Sequence, residues 1–221
     1  MFPHHSHQPA TPVTPPPPPI GFTTGDTILF LGDSITAEEE GYVAVIAQAL
    51  ARTRSDLLLS LLNAGREGDT TRTALQRLQY DVLDHNPQWV ILSLGINDLN
   101  NLLAGSRDGV PPDEFSAHYR QILSILAAAG IGVVPLTTTM IGEDVTSKRN
   151  KLLKDYNGPI RTLAAEGGLR LVDVNRAFHN AYDRAATYKQ AIQLTRDGIH
   201  PNRQGHALIA RTFLSELGLL R

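Results

Sequence analysis

The run FLGDSIT, Phe30 to Thr36, passes within a few positions from apolar residues to a glycine, an acid and two hydroxyl side chains. A serine hydroxyl is a poor nucleophile near neutral pH. It gains reactivity from an adjacent base, usually a histidine held in one tautomer by a carboxylate. TRDGIHPN, Thr195 to Asn202, supplies both groups. A tight turn at Gly198 lets Asp197 accept from one imidazole nitrogen of His200 while the other nitrogen points at Ser34. Attack by such a serine on a carbonyl creates an oxyanion, which needs donors already in place. The backbone N–H of Ser34 is one candidate. Gly68, in NAGREGDTT (Asn63 to Thr71), has no side chain to block a second, and Asn97, in SLGIND (Ser93 to Asp98), offers its amide as a third. Asp33 and Asp98 read as turn acids that hydrogen-bond nearby backbone.

These segments can cooperate only if the fold gathers them. Continuous apolar runs at Thr27–Leu31, Leu57–Leu62, Trp89–Leu94, Gly132–Leu136 and Leu169–Val174 read as parallel strands covered on both faces. Between them lie stripes of helical period: Tyr42, Val45, Ile46, Ala49 and Leu50; Leu75, Leu78 and Val82; Phe115, Tyr119, Ile122, Leu123 and Leu126. Leu153, Tyr156, Ile160 and Leu163 suggest another, which Gly158 and Pro159 should kink or break. A last stripe, Ala207 to Leu217, is placed for capping by Asn202. Strict alternation of strand and helix implies right-handed crossovers and a five-stranded parallel sheet between two helical layers. Ligands of such sheets bind beyond the C-terminal strand ends. Ser34, Gly68 and Asn97 each follow a different strand, so all three belong to that edge.

At 221 residues, 42% hydrophobic and 19% charged, the chain suits one domain. We assign it to residues 23–221, after a proline-rich tail at 1–22 that has too little apolar content to fold by itself. A net charge of −2, with no long basic block, gives no general attraction to nucleic acid or to anionic membranes. No apolar run is long enough to span a bilayer, so membrane insertion is not expected. The chain has no cysteine and its N-terminus lacks the features of a secretory signal, which together point to the cytoplasm.

Four blocks, GDSIT, GREGD, GIND and DGIHPN, match in order and approximate spacing those of the SGNH hydrolases, also called GDSL esterases and lipases. The resemblance covers nearly everything after the tail. It implies a flavodoxin-like three-layer sandwich, Ser34 as nucleophile, Asp197 and His200 completing a triad, and Ser34, Gly68 and Asn97 forming the oxyanion hole. It implies no cofactor and no metal. Within the family the chain looks similar to acetylxylan esterases and related carbohydrate acetylesterases, although only AEEE separates the serine block from the next helix, where those enzymes often carry a longer segment.

The expected activity is therefore hydrolysis of short-chain, mainly acetyl, esters of carbohydrate-like alcohols, the partner being a small-molecule or oligosaccharide ester. Thr137, Thr138 and Met140, after the fourth strand, and Ile199, between the triad members, are assigned to the substrate pocket. Glu38, Glu39 and Glu40 read as helix-start charges that also disfavour polyanionic substrates. A lipid esterase, lysophospholipase or thioesterase with the same triad is the alternative, its acyl channel built from Leu99 to Gly105. Two further readings are a metal site in which His206 joins Asp197 and His200, and a non-catalytic carbohydrate-binding protein. His85, His118 and His179 have no partner pattern and read as surface residues.

Overall fold

The computed structural model describes residues 20–220; the proline-rich segment before Ile20 lies outside them. The elements run β1 (Thr27–Gly32), α1 (Ser34–Ala37), α2 (Tyr42–Thr53), β2 (Ser60–Gly65), α3 (Thr71–Asp81), β3 (Trp89–Ser93), α4 (Ile96–Leu103), α5 (Pro112–Ala128), β4 (Gly132–Pro135), α6 (Lys148–Leu152), α7 (Lys154–Glu166), α8 (Val174–Thr187) and α9 (Arg203–Glu216). All strand pairs are parallel, in the order β2-β1-β3-β4. Helices α2, α8 and α9 pack together in one layer, and α3, α5 and α7 in the other. The result is the three-layer α/β sandwich expected, with β1 and β3 central and buried: Ile28, Leu29, Phe30 and Leu31 face helices on both sides, as do Val90, Ile91 and Leu92. Each such side chain contributes about 1.5–3 kcal/mol when removed from water.

The sheet has four strands rather than the five expected. At the fifth position the chain makes only one parallel bridge, Leu136 to Val172, with Val172 N–H donating to Pro135 O and Thr137 N–H to Val172 O. The next residue, Asp173, already caps α8 by accepting from Arg176 N–H at 3.1 Å. Continuous hydrophobicity across Leu169–Val174 hides this, because Val174 is buried from a helix rather than from a strand.

Three other boundaries move. β2 starts at Ser60 because Ser55–Leu57 forms a 3-10 turn and Leu58 takes a left-handed conformation, φ 47°. Helix α7 runs through Gly158 and Pro159, and the interruption falls earlier, at Leu153 between α6 and α7. Pro159 lies inside α7, five residues after its first, and its missing N–H leaves the carbonyl of exposed Asp155 without its intrahelical donor. Ile20 and Phe22, assigned from sequence to the tail, are buried: Ile20 N–H donates to Leu217 O at 2.9 Å and Phe22 packs edge-on against Trp89. No helix among the described residues is long and apolar enough to cross a membrane.

Candidate active site

At the end of β1 the chain turns sharply. Asp33 caps α1, its Oδ1 accepting from Ile35 N–H at 2.9 Å, which leaves Ser34 at the first helical position, where a backbone N–H has no intrahelical acceptor. Burial pushes the Asp33 carboxyl up to about 7, against the lowering effect of the Ile35 amide. α1 then crosses the end of β2 so closely that a Cβ on Gly65 would stand 2.3 Å from Ala37 N, which explains that glycine. Asn63 secures the crossing, its Nδ2 donating to Thr36 O at 2.7 Å.

The loop after β2 turns at Arg66–Asp69, where Asp69 N–H donates to Arg66 O and Gly68 takes φ +76°, a conformation that a side chain disfavours. Buried Arg77 fixes this loop. Its Nε donates to Asp69 Oδ2 at 2.5 Å, and its Nη2 donates to Gly32 O at 3.2 Å and Ala64 O at 2.8 Å, tying the loop to the ends of β1 and β2. Asn97 opens α4 and is 9% exposed. One of its amide hydrogens goes to Asp69 O at 3.0 Å, which orients the side chain and leaves the second hydrogen for a ligand. Asp98 does more than make a local turn: its carboxylate accepts from Thr71 N–H at 3.0 Å and Thr71 Oγ1 at 2.5 Å, locking α4 to the N-terminus of α3. Burial raises it to about 6 despite those bonds.

The fourth block lies in the loop before α9. His200 Nε2 is 2.9 Å from Ser34 Oγ, and His200 Nδ1 is 2.6 Å from Asp197 Oδ2. Asp197 Oδ1 accepts from the N–H groups of Ile199 at 2.9 Å and His200 at 2.7 Å. Partial desolvation raises the Asp197 carboxyl, but the His200 and Ile199 hydrogen bonds outweigh it and bring it down to about 2. A carboxylate that stays ionised holds the proton on Nδ1 and leaves Nε2 free to accept from the serine. The side chains of Asp197 and His200 are 51% and 32% exposed.

Ser34, Gly68, Asn97, Asp197 and His200 line one open cleft of about 710 Å³, together with Ala37, Glu38, Glu39, Glu67 and Arg196. Arg196 Nη1 donates to Glu38 Oε1 at 3.0 Å, its Nη2 also pairs with Glu38, and this hydrogen bonding holds the Glu38 carboxyl below its ordinary value. Glu38 thus bridges to the Asp197 loop rather than serving the start of α2, which has no acid in its first turn.

The pocket assignments of Thr137, Thr138, Met140 and Ile199 do not agree with the structure, since none of them lines this cleft. Thr137 Oγ1 donates to Asp173 and Thr138 is bonded to Asn157, so both hydroxyls are spent within the fold. Met140 is fully buried and Ile199 packs against the core. His206, the third ligand of the metal reading, is buried, with Nδ1 accepting from Tyr42 N–H at 3.0 Å. No metal-holding group of His, Asp and Glu occurs among the described residues. His118 is half-buried, its Nδ1 3.3 Å from Thr71 Oγ1.

Sequence reasoning missed Arg77, Arg196 and Glu143, the last of which accepts from Leu194 N–H, Thr195 N–H and the Thr195 hydroxyl. A single charged residue on the buried face of α3 was the only local signal for Arg77. Nothing near Glu143 in sequence announces partners more than fifty residues away.

A parallel sheet that presents at its C-terminal edge a serine, a histidine and an aspartate in series, beside amide donors, defines a serine hydrolase that works by acyl transfer. The chain belongs to the GDSL-like lipase/acylhydrolase family, whose model matches residues 30–208. It is 28% identical to an acetylxylan esterase of Geobacillus stearothermophilus over 212 residues, covering 88% of this chain and 95% of that one. Solved structures of that esterase include catalytic mutants with alanine in place of a serine, an aspartate or a histidine; the aspartate mutant is 26% identical, with a TM-score of 0.82 over 91% of this chain and 99% of the other. The thioesterase 1/protease 1/lysophospholipase L1 of Escherichia coli (strain K12) is 27% identical over 199 residues, 87% of this chain and 83% of that one. An α/β hydrolase from the metagenome of Lake Arreo, Spain, is 30% identical, with a TM-score of 0.82 over 90% and 98% of the two chains.

Proposed function

We propose that this esterase removes acetyl and other short acyl groups from carbohydrate-like alcohols through an acyl-enzyme formed on Ser34. Ser34 Oγ attacks the ester carbonyl as its proton passes to His200 Nε2, and Asp197 stabilises the resulting imidazolium. The negative oxygen is received by the backbone N–H groups of Ser34 and Gly68 and by Asn97 Nδ2. Collapse breaks the bond to the alcohol oxygen, which takes the proton from His200. Water then attacks the acyl-enzyme, giving its proton to the same nitrogen, and the carboxylic acid leaves as Ser34 recovers its hydrogen.

The observation that carries the choice of ester is the lining of the cleft. Beside the triad and the amide donors stand Ala37, Glu38, Glu39, Glu67 and Arg196, with no large apolar side chain. A long acyl chain gains about 0.8 kcal/mol for each methylene buried against an apolar wall, and here it meets carboxylates instead. The segment that an acyl channel would need does not supply one: Leu99 is buried in the core, and Leu102 and Leu103 lie outside the cleft. A polar alcohol suits the same walls, and similarity to an acetylxylan esterase supports this reading.

Initial rates on p-nitrophenyl esters of increasing chain length, beside acetylated oligosaccharides, test it. Acetate is expected to exceed octanoate in kcat/KM by at least about tenfold after correction for intrinsic reactivity, a gap of about 1.4 kcal/mol. A maximum at octanoate or beyond would replace the acetylesterase reading with a lipid or thioester one.

A further inference from the structure

The loop that carries Asp197 and His200 belongs to no helix or strand, so its own turn and a few contacts with other segments hold it. Thr195 and Pro201 form an isolated bridge, Arg196 N–H donates to His200 O at 2.9 Å, and Gly142 N–H reaches across to Gly198 O at 2.5 Å. Two carboxylates from distant segments grip it. Glu38 does so through Arg196, but that ion pair is exposed, with side-chain accessibilities of 28% and 50%, and pairs of this kind contribute little. Glu143 is placed differently. It is half-buried, its Oε2 accepts from Leu194 N–H at 3.3 Å, and its Oε1 accepts from Thr195 N–H at 3.1 Å and from the Thr195 hydroxyl. The Thr195 oxygen in turn accepts from Gly198 N–H at 3.1 Å, within the turn that separates Asp197 from His200.

We propose that Glu143 is a positioning residue: through Thr195 and Gly198 it sets where His200 Nε2 stands relative to Ser34 Oγ. The proposal rests on the triad reading above. Glu143 does not line the cleft, so its influence travels through the loop and not through contact with substrate. Three donors converge on two carboxylate oxygens, and hydrogen bonds to an ionised acceptor are the stronger kind. A glutamine keeps one of those oxygens and turns an N–H toward Leu194 N–H, so it preserves only the Thr195 half of the arrangement. Misplacing a reacting group by about 1 Å can cost about 100-fold in rate, which makes a second anchor on a half-exposed loop consequential.

The test compares Glu143→Ala, Glu143→Gln and Thr195→Val with the parent. It reads kcat and KM on p-nitrophenyl acetate, the rate at which an active-site phosphonate labels Ser34, and the melting temperature. Glu143→Ala is expected to lower kcat by about 10- to 100-fold with KM within about twofold. Labelling should slow by the same factor, since both reactions need the His200 base, and Glu143→Gln should fall between. A folded Glu143→Ala protein with parental kcat would overturn the proposal whatever its melting temperature, as would an effect confined to KM. Should Glu143→Ala not fold, Thr195→Val carries the test, because it removes only the hydroxyl between Glu143 and Gly198: a several-fold drop in kcat supports the proposal and parental kcat overturns it. A parent labelled at a residue other than Ser34 would overturn the triad reading and this proposal with it, whereas labelling at Ser34 beside an unimpaired Glu143→Ala overturns this proposal alone.

Discussion

The two halves of the cleft are built in different ways. On the nucleophile side, Ser34, Gly68 and Asn97 each sit directly beyond a central or neighbouring strand, and buried groups cross-link the loops that carry them: Arg77 to Asp69 and to two strand-end carbonyls, Asp98 to the start of α3, Asn97 to Asp69 O. On the base side, Asp197 and His200 occupy a half-exposed loop whose ties are mostly its own turn and the carboxylate of Glu143. Groups that must meet a developing charge gain most from rigidity, since preorganised donors need no rearrangement as the reaction proceeds. The acids follow the same division: burial raises Asp33 and Asp98, while hydrogen bonds lower Asp197.

That contrast can be broken at its most sensitive point with Asp197→Asn. The side-chain oxygen will stay on the Ile199 and His200 amides, so the NH₂ faces His200 Nδ1 and forces the proton onto Nε2, the wrong tautomer for accepting from Ser34. We expect kcat to fall by about 10³- to 10⁴-fold with little change in melting temperature, measured on p-nitrophenyl acetate. On the rigid side, Asn97→Ala should lower kcat by about 100- to 1,000-fold, about 2.7–4 kcal/mol, the usual cost of one oxyanion donor. A rise in KM alone would place Asn97 in substrate binding instead.

The smallest expected effect concerns stability. Asp33 is raised in the folded state to about 7 from 3.8, so its favourable contribution is complete below pH 3.8 and is lost as pH climbs toward 7. Asp98 acts in the same sense up to about 6, and Asp197 in the opposite sense only between 3.8 and about 2. Burial lowers His206 from 6.5, so it opposes the two acids as pH falls below 6.5. Melting temperature should therefore rise only modestly from pH 7.5 to 5, and Asp33→Asn, which can still cap Ile35 N–H, should make the slope over that range less favourable to the acid side. An unchanged slope in the variant would mean that Asp33 is ionised throughout this range.

The pattern of buried strands and striped helices is legible because hydrophobic period reports burial directly, and three of the four chemical blocks are legible because each follows a strand, while DGIHPN, between α8 and α9, is legible from its Asp, Gly and His spacing alone. The fifth strand was misread for the same reason: Leu169–Val174 is as apolar as a strand, yet Asp173 caps a helix there. The local rule that proline breaks a helix does not hold at Pro159, where the carbonyl left without a donor belongs to exposed Asp155 and Tyr156, Ile160 and Leu163 stay buried on one face of α7. The Thr137–Met140 wall looked available for substrate since nothing in its own sequence reveals Asp173 and Asn157 as the partners that absorb its hydroxyls. Long-range ties such as Arg77 to Asp69 and Glu143 to Thr195 are set by topology, and their residues carry no local signature.

The most direct measurement is the site and dependence of covalent trapping. A fluorophosphonate should modify the parent once, on the peptide that contains Ser34, as read by mass spectrometry. His200→Ala should slow that labelling by at least about 100-fold, since the serine then lacks its base. Modification of any other residue, or labelling of Ser34 at parental rate without His200, would contradict the account.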